Sequence, residues 1–221
     1  MRSTVTSYKG GLSVILDTNI LIRLMESLNC EIRSFIRVIE ERISCKCSLR
    51  VDVVIVEESF EEIESYLKRT KKCEEESIRE KLEHDLMHYR RLIRFGGRQT
   101  KHKIVHLKSL EGSSEELKIK LGKKLYEKCK RALKNIEDDV DRSLIIASLV
   151  KAHEYSKSRS GGLVVLLTTD SELSERVASV ASKIGLLNYI ASPGLNDINK
   201  CLSVDCHVKC ILERIPQGYA K

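Results

Sequence analysis

A three-layer α/β fold, with helices on both faces of a central parallel sheet and a basic helical hairpin inserted in its middle, is what this sequence predicts. Three observations carry that expectation. Short apolar runs rich in β-branched residues alternate with longer stretches in which apolar residues recur at helical spacing. Three of the apolar runs end in acids. The 221 residues include only two prolines, Pro193 and Pro216, both near the end, so no Pro-rich linker divides the chain into two domains.

The first strand is Leu12-Ser13-Val14-Ile15-Leu16, ending at Asp17. Leu21, Leu24, Met25 and Leu28 begin the helical spacing that follows and continues to Ile43. Val51 to Val56 is the second strand, closed by Glu57-Glu58, after which Phe60, Ile63 and Leu67 share a helix face. Two further apolar stripes follow, Ile78 to Ile93 and Leu117 to Ile136, separated by Gly96-Gly97 and a polar segment. They predict the hairpin. An apolar helix begins near Asp141, and Ser158 to Gly162 is a turn. Leu163 to Leu167 is the third strand and leads through Thr168-Thr169 to Asp170. A helix over Ser171 to Ile184 stops at Gly185, and Leu186 to Ile190 is the fourth strand. The organisation expected is one domain over residues 12–190, including a basic helical insertion at 70–136, with a C-terminal tail, 191–221, packed on it.

The net charge is +7, from 39 basic and 32 acidic side chains, and it is unevenly placed. Residues 68–134 hold 21 Lys and Arg against 10 Asp and Glu, a balance of +11 that leaves −4 for the rest. A basic middle beside an acidic remainder suits a metal site next to an arm that binds a polyanion. Between Arg90 and Lys108 there are bases and no acid. Arg90, Arg91, Arg94, Arg98, Lys101 and Lys103 are therefore the candidate nucleic-acid contacts, with Tyr89 and Phe95 as rings on which unpaired bases would stack. No signal peptide and no apolar run long enough to cross a bilayer occur, so a cytoplasmic location is expected. The eight cysteines form no pair of CxxC knuckles, and interior thiols are the expectation. His102 and His106 stand four apart, but Val105 and Leu107 between and beside them read as extended chain.

Ligands of open α/β sheets bind beyond the carboxyl ends of the strands. Asp17, the pair Glu57-Glu58 and Asp170 end three strands at that edge, and Asp141 sits at a helix start. Any one of them alone reads as a helix cap. Together they are the oxygen donors that hard cations require. Two Mg²⁺ or Mn²⁺ ions held about 3.5–4 Å apart supply what phosphodiester hydrolysis needs: an activated water, neutralised phosphate charge and a stabilised leaving oxygen.

The same residues carry a family resemblance. Leu16-Asp17-Thr18-Asn19-Ile20-Leu21 resembles the opening motif of PIN-domain nucleases. Val54-Ile55-Val56-Glu57-Glu58 resembles their second motif, Asp141-Arg142-Ser143-Leu144-Ile145-Ile146-Ala147 the third, and Leu167-Thr168-Thr169-Asp170 the fourth. Order and spacing fit from Leu12 to about Ile190. The resemblance implies a Mg²⁺- or Mn²⁺-dependent ribonuclease acting on RNA, often a homodimer. It implies Asp17, Glu58, Asp141 and Asp170 as catalytic, metal-binding carboxylates, with Thr18, Asn19 and Thr168 in support. The second motif carries an apolar residue after its acid, whereas Glu58 is followed by Ser59 and Glu57 by Glu58. Glu58 is preferred over Glu57 because Phe60 and Ile63 keep a buried face nearby. Two rival readings share the motifs: a non-catalytic RNA-binding or assembly module, and a toxin ribonuclease held by an antitoxin or working with an RNA-processing partner.

Overall fold

The structure, a computed structural model, describes residues 11–27, 51–69, 105–107, 114–159 and 161–192. In chain order they form β1 (Gly11–Leu16), α1 (Thr18–Ser27), β2 (Val51–Val56), α2 (Glu57–Arg69), β3 (Val105–Leu107), α3 (Ser114–Leu121), α4 (Lys123–Leu133), α5 (Asp139–Lys157), β4 (Gly162–Leu167), α6 (Ser171–Ile184) and β5 (Ile190–Ala191). This is an α/β fold. The bases Arg90, Arg91, Arg94, Arg98, Lys101 and Lys103, the apolar stripe from Ile78 to Ile93 and the tail cysteines lie outside the described residues.

All strand pairs are parallel, and the order across the sheet is β3-β2-β1-β4-β5. From β1 the chain moves outward to β2 and β3, then returns to place β4 on the other side of β1. The gap between the ends of β1 and β4 is therefore the topological switch point, where α/β sheets open a crevice. β1 and β4 are central, and residues 12–16 and 163–167 are all buried. A strand buried on both faces must be apolar at every position, which is why these two read as unbroken apolar runs rather than alternating ones.

The exception in β1 is Ser13, which is fully buried. Its hydroxyl shares a 2.8 Å hydrogen bond with the Tyr155 hydroxyl from α5, which satisfies a polar group that burial would otherwise leave costly. The Tyr155 ring lies over Gly11 and Gly162, the paired first residues of β1 and β4. Only hydrogen at those positions leaves the ring its place.

α5 is the central helix. Ten consecutive residues from Ser143 to Ala152 are buried, so the helix is covered on every side. It packs on β1, β2 and β4 and also meets α2, α3 and α6. Lys151, 7% exposed, reaches Glu154 at 2.9 Å. Asp138 caps its start by accepting from the Asp141 amide at 2.9 Å. A cap of this kind contributes about 1 kcal/mol.

Two expectations change here. The stripe from Leu117 to Ile136 is two helices, because Gly122 sits at φ +78°, a backbone that L side chains rarely adopt. The fourth strand is shorter and later than expected: Leu187–Tyr189 is a turn of 3₁₀ helix, and only Ile190–Ala191 pairs with β4. Within residues 70–136, β3 forms one edge of the sheet beside β2. Leu117, Leu121, Tyr126, Cys129 and Leu133 of α3 and α4 join the same core as α5 and β4. Those described parts are integral to the domain. Cys129 is a buried free thiol whose pKa burial pushes up to about 11.

A Cβ built on Gly162 would collide with Tyr155 Cγ, at the root of the ring. Gly162→Ala is therefore expected to destabilise the fold by about 1–3 kcal/mol, the usual cost of overpacking a core. A urea denaturation midpoint equal to that of the wild type would show that the ring has another place to go.

Candidate metal centre

The parallel register of β1 and β4 builds the site. Leu16 pairs with Leu167, so the next residues, Asp17 and Thr168, leave the sheet side by side. The ladder runs one step past the strands, with the Asp17 amide donating to the Leu167 carbonyl at 3.0 Å. The Thr168 hydroxyl then donates to Asp17 Oδ2 at 2.6 Å, and the same hydroxyl oxygen accepts from the Asp170 amide at 2.9 Å. One hydroxyl thus fixes Asp17 and the turn into α6 together.

Asp17 is 5% exposed. Burial pushes its carboxyl above the usual range. The Thr168 hydroxyl and the backbone amides of Asn19 and Thr18 pull it back down, and Glu62 pushes it up again. The Asn19 side-chain amide approaches Oδ2 more loosely, at 3.4 Å. Asp17 also begins α1, its carbonyl accepting from the Ile20 and Leu21 amides. It is a helix-start residue and a buried carboxylate at once. Capping alone does not require burial.

Asp141 enters from the first turn of α5. Burial, then Asp138, then Asp170, raises its pKa to about 6; Arg176 opposes the rise and Asp17 adds to it. Arg176 of α6 donates to Asp141 Oδ2 at 3.2 Å and also pairs with Glu172. Asp170 caps α6, its Oδ1 accepting from the Glu172 amide at 2.8 Å and the Leu173 amide at 3.2 Å.

Among the acids of α2, the exposed Glu62 adds by its charge to the raised proton affinity of Asp17. Glu58 is half-buried, with Oε2 shielded and without a hydrogen-bond partner. Glu62 lies one helical turn further on and is followed by Ile63, which is fully buried. An acid with an apolar residue after it was the feature that neither Glu57 nor Glu58 offered. Scanning one more turn along the helix would have found it. Thr18 is 2% exposed and its hydroxyl is likewise unpaired, so its role as an orienting group has no hydrogen bond behind it. Arg176 had no sequence signal at all.

The donor set is the oxygen-rich kind that Mg²⁺ and Mn²⁺ prefer. Repelling carboxylates at one sheet edge, together with a buried, unpaired oxygen on Glu58, fit a divalent cation. Among the described residues, however, no three acidic, histidine or cysteine side chains converge closely enough to cage a metal. Two of the acids are turned to partners of their own, Asp141 to Arg176 and Asp170 to the amides of α6. In comparisons with known proteins, the chain matches no family model and no curated relative in sequence.

The raised pKa of Asp141 gives a pH dependence. The folded state holds this proton to about pH 6, whereas the carboxyl's ordinary value is 3.8. Its stabilising contribution is therefore complete below the ordinary value and is lost as pH rises through about 6. In EDTA, the melting temperature of the wild type is expected to fall between about pH 4 and about pH 6.5, and Asp141→Asn to flatten that fall. Identical slopes for the two proteins would exclude Asp141 as the group responsible.

Proposed function

We propose that this protein is a metal-dependent endoribonuclease of PIN type, hydrolysing RNA phosphodiester bonds at the ends of β1 and β4. One observation carries the reading: at the ends of β1 and β4, Thr168 fixes a buried Asp17 carboxylate, Glu62 adds to the raised proton affinity of Asp17, and Asp170 and Asp17 add to that of Asp141. Packing gains nothing from such a gathering, and perturbed carboxylates in a crevice are a mark of functional sites. The four motif resemblances supply the choice of RNA and of hydrolysis.

In this reading Asp17, Glu62, Asp141 and Asp170 would hold Mg²⁺ or Mn²⁺, with Glu58 as a further donor. When bound, the metal neutralises phosphate charge and lowers the pKa of an attacking water. The chain's own residues do the positioning. Thr168 and the Asn19 amide fix the Asp17 carboxylate on a rigid strand end. The α6 cap orients Asp170, leaving its Oδ2 outside those two bonds. Arg176 holds Asp141 Oδ2 and so competes with a metal for that oxygen.

The Arg176–Asp141 pair favours a second reading, a non-catalytic RNA-binding or assembly module in which arginine replaces the metal. The first reading predicts that Asp17→Asn lowers Mn²⁺-dependent cleavage of a labelled single-stranded RNA by at least about 100-fold, since a metal contact contributes several kcal/mol. Its melting temperature should stay at or above that of the wild type, because a repelled buried charge is removed. Undiminished cleavage by that variant would sink the assignment. Arg176→Ala should bind Mn²⁺ about 2–5-fold more tightly in titration calorimetry, the range expected of a partly exposed ion pair. If neither protein takes up Mn²⁺, the second reading stands.

A further inference from the structure

The carboxylate cluster repels a phosphate backbone, so a nucleic acid must be held by something else. Among the described residues, one helix has the opposite character. Lys123, Lys124, Lys128, Lys130 and Arg131 of α4, with Lys134 just past its end, are all exposed, and Glu127 is the single acid among them. At 100° per residue these six cations fall within about 160° of the helix circumference. Tyr126, Cys129 and Leu133 occupy the opposite side and are buried in the core. The other described helices are not like this. Among the described side chains, the exposed charges of α2 are Glu61, Glu62 and Arg69, and those of α6 are Glu172, Glu175 and Lys183.

The ridge also leads to the site. From Lys123 to Lys134 it runs about 16 Å, roughly five nucleotide rises along one strand. Three residues separate Lys134 from Asp138, the cap of α5, so the ridge ends within about 14 Å of the residue that opens the helix carrying Asp141. Arg142 holds that link, donating from Nε to the Ile136 carbonyl at 3.1 Å. At its flank α4 packs against α6, the helix that Asp170 caps.

We infer that the exposed face of α4 is a docking ridge for the phosphate backbone of single-stranded RNA, guiding the strand toward Asp17 and Asp141. The inference takes the identity of the polyanion from the ribonuclease reading but does not depend on cleavage. A membrane is the weaker fit, because α4 has its apolar residues in the core and cannot insert them into lipid. Contacts of this kind bind phosphate without reading sequence, so affinity should fall with salt.

The test is fluorescence anisotropy of a labelled oligouridylate with the full chain in EDTA, where cleavage plays no part. The triple variant Lys124→Glu/Lys128→Glu/Arg131→Glu is compared with a charge-matched control, Lys157→Glu/Arg159→Glu/Lys183→Glu, whose three sites are exposed on other parts of the surface. The α4 variant should bind at least about 30-fold more weakly, with the slope of log K against log salt shallower by about 2; the control should stay within about 3-fold of the wild type. Circular dichroism confirms that both variants fold. Asp17→Asn should bind like the wild type or more tightly, which separates failure of the ridge from failure of the catalytic assignment. Equal losses in the two triple variants would reduce the ridge to net charge and overturn the inference. So would a wild type that ignores the oligonucleotide, or one that prefers polyglutamate or phosphatidylserine vesicles.

Discussion

The parallel pairing of β1 with β4 is the interaction on which everything else rests. It joins residues about 150 positions apart in sequence, and its register decides which side chains leave the sheet together. Because Leu16 faces Leu167, Asp17 emerges beside Thr168, and the strand ladder continues into a backbone bond and then a side-chain bond. A slip of one residue would turn every side chain of β1 to the opposite face and put Asp17 out of reach of Thr168. Hydrophobic burial makes the register stiff, since β1 and β4 have apolar side chains packed on both faces.

α5 converts that rigid pair into a site. Its burial on all sides fixes where its first turn points, and Asp138 and Asp141 lie in or just before that turn. The helix is anchored to the same two strands by the Tyr155 ring over Gly11 and Gly162 and by the bond to Ser13. Asp141 is thus carried toward Asp17 and Asp170 by packing, against electrostatic resistance. Burial, then Asp138 and Asp170, raises the proton affinity of Asp141. Arg176 offsets part of it from α6.

Charge is then divided between two neighbouring parts of the molecule. The strand ends collect acids suited to a cation, and α4 collects bases suited to an anion. A strand of nucleic acid bound along α4 would approach the acids already partly neutralised. Placing both on the same core, through Tyr126, Cys129 and Leu133 on one side and Leu144 and Ile145 on the other, makes their spacing a property of the fold.

The strands and the main helices were legible from local pattern. A fully buried strand must be apolar throughout, and an amphipathic helix must repeat at 3.6 residues, so Leu12 to Leu16, Leu163 to Leu167 and Ser171 to Ile184 announce themselves. Asp17 and Asp170 were legible as strand-end acids for the same reason. The break at Gly122 could be read only as a glycine within a helical pattern; its positive φ belongs to the folded backbone. The fourth strand looked apolar enough to pair from Leu186, but those residues coil into a 3₁₀ turn. Helix phase and strand register decided the rest. Glu57, Glu58 and Glu62 share one short acidic helix, and how each of them faces Asp17 follows from the packing of α2 on α1, β2 and α5. Arg176 is one arginine among many in the sequence, and it matters because α6 leaves Asp170 in the direction that brings it to Asp141. The sequence by itself determined which acids stand at strand ends and helix starts; tertiary packing determined the partners each of them takes, because contact between distant segments depends on register and rotation, which local periodicity does not encode.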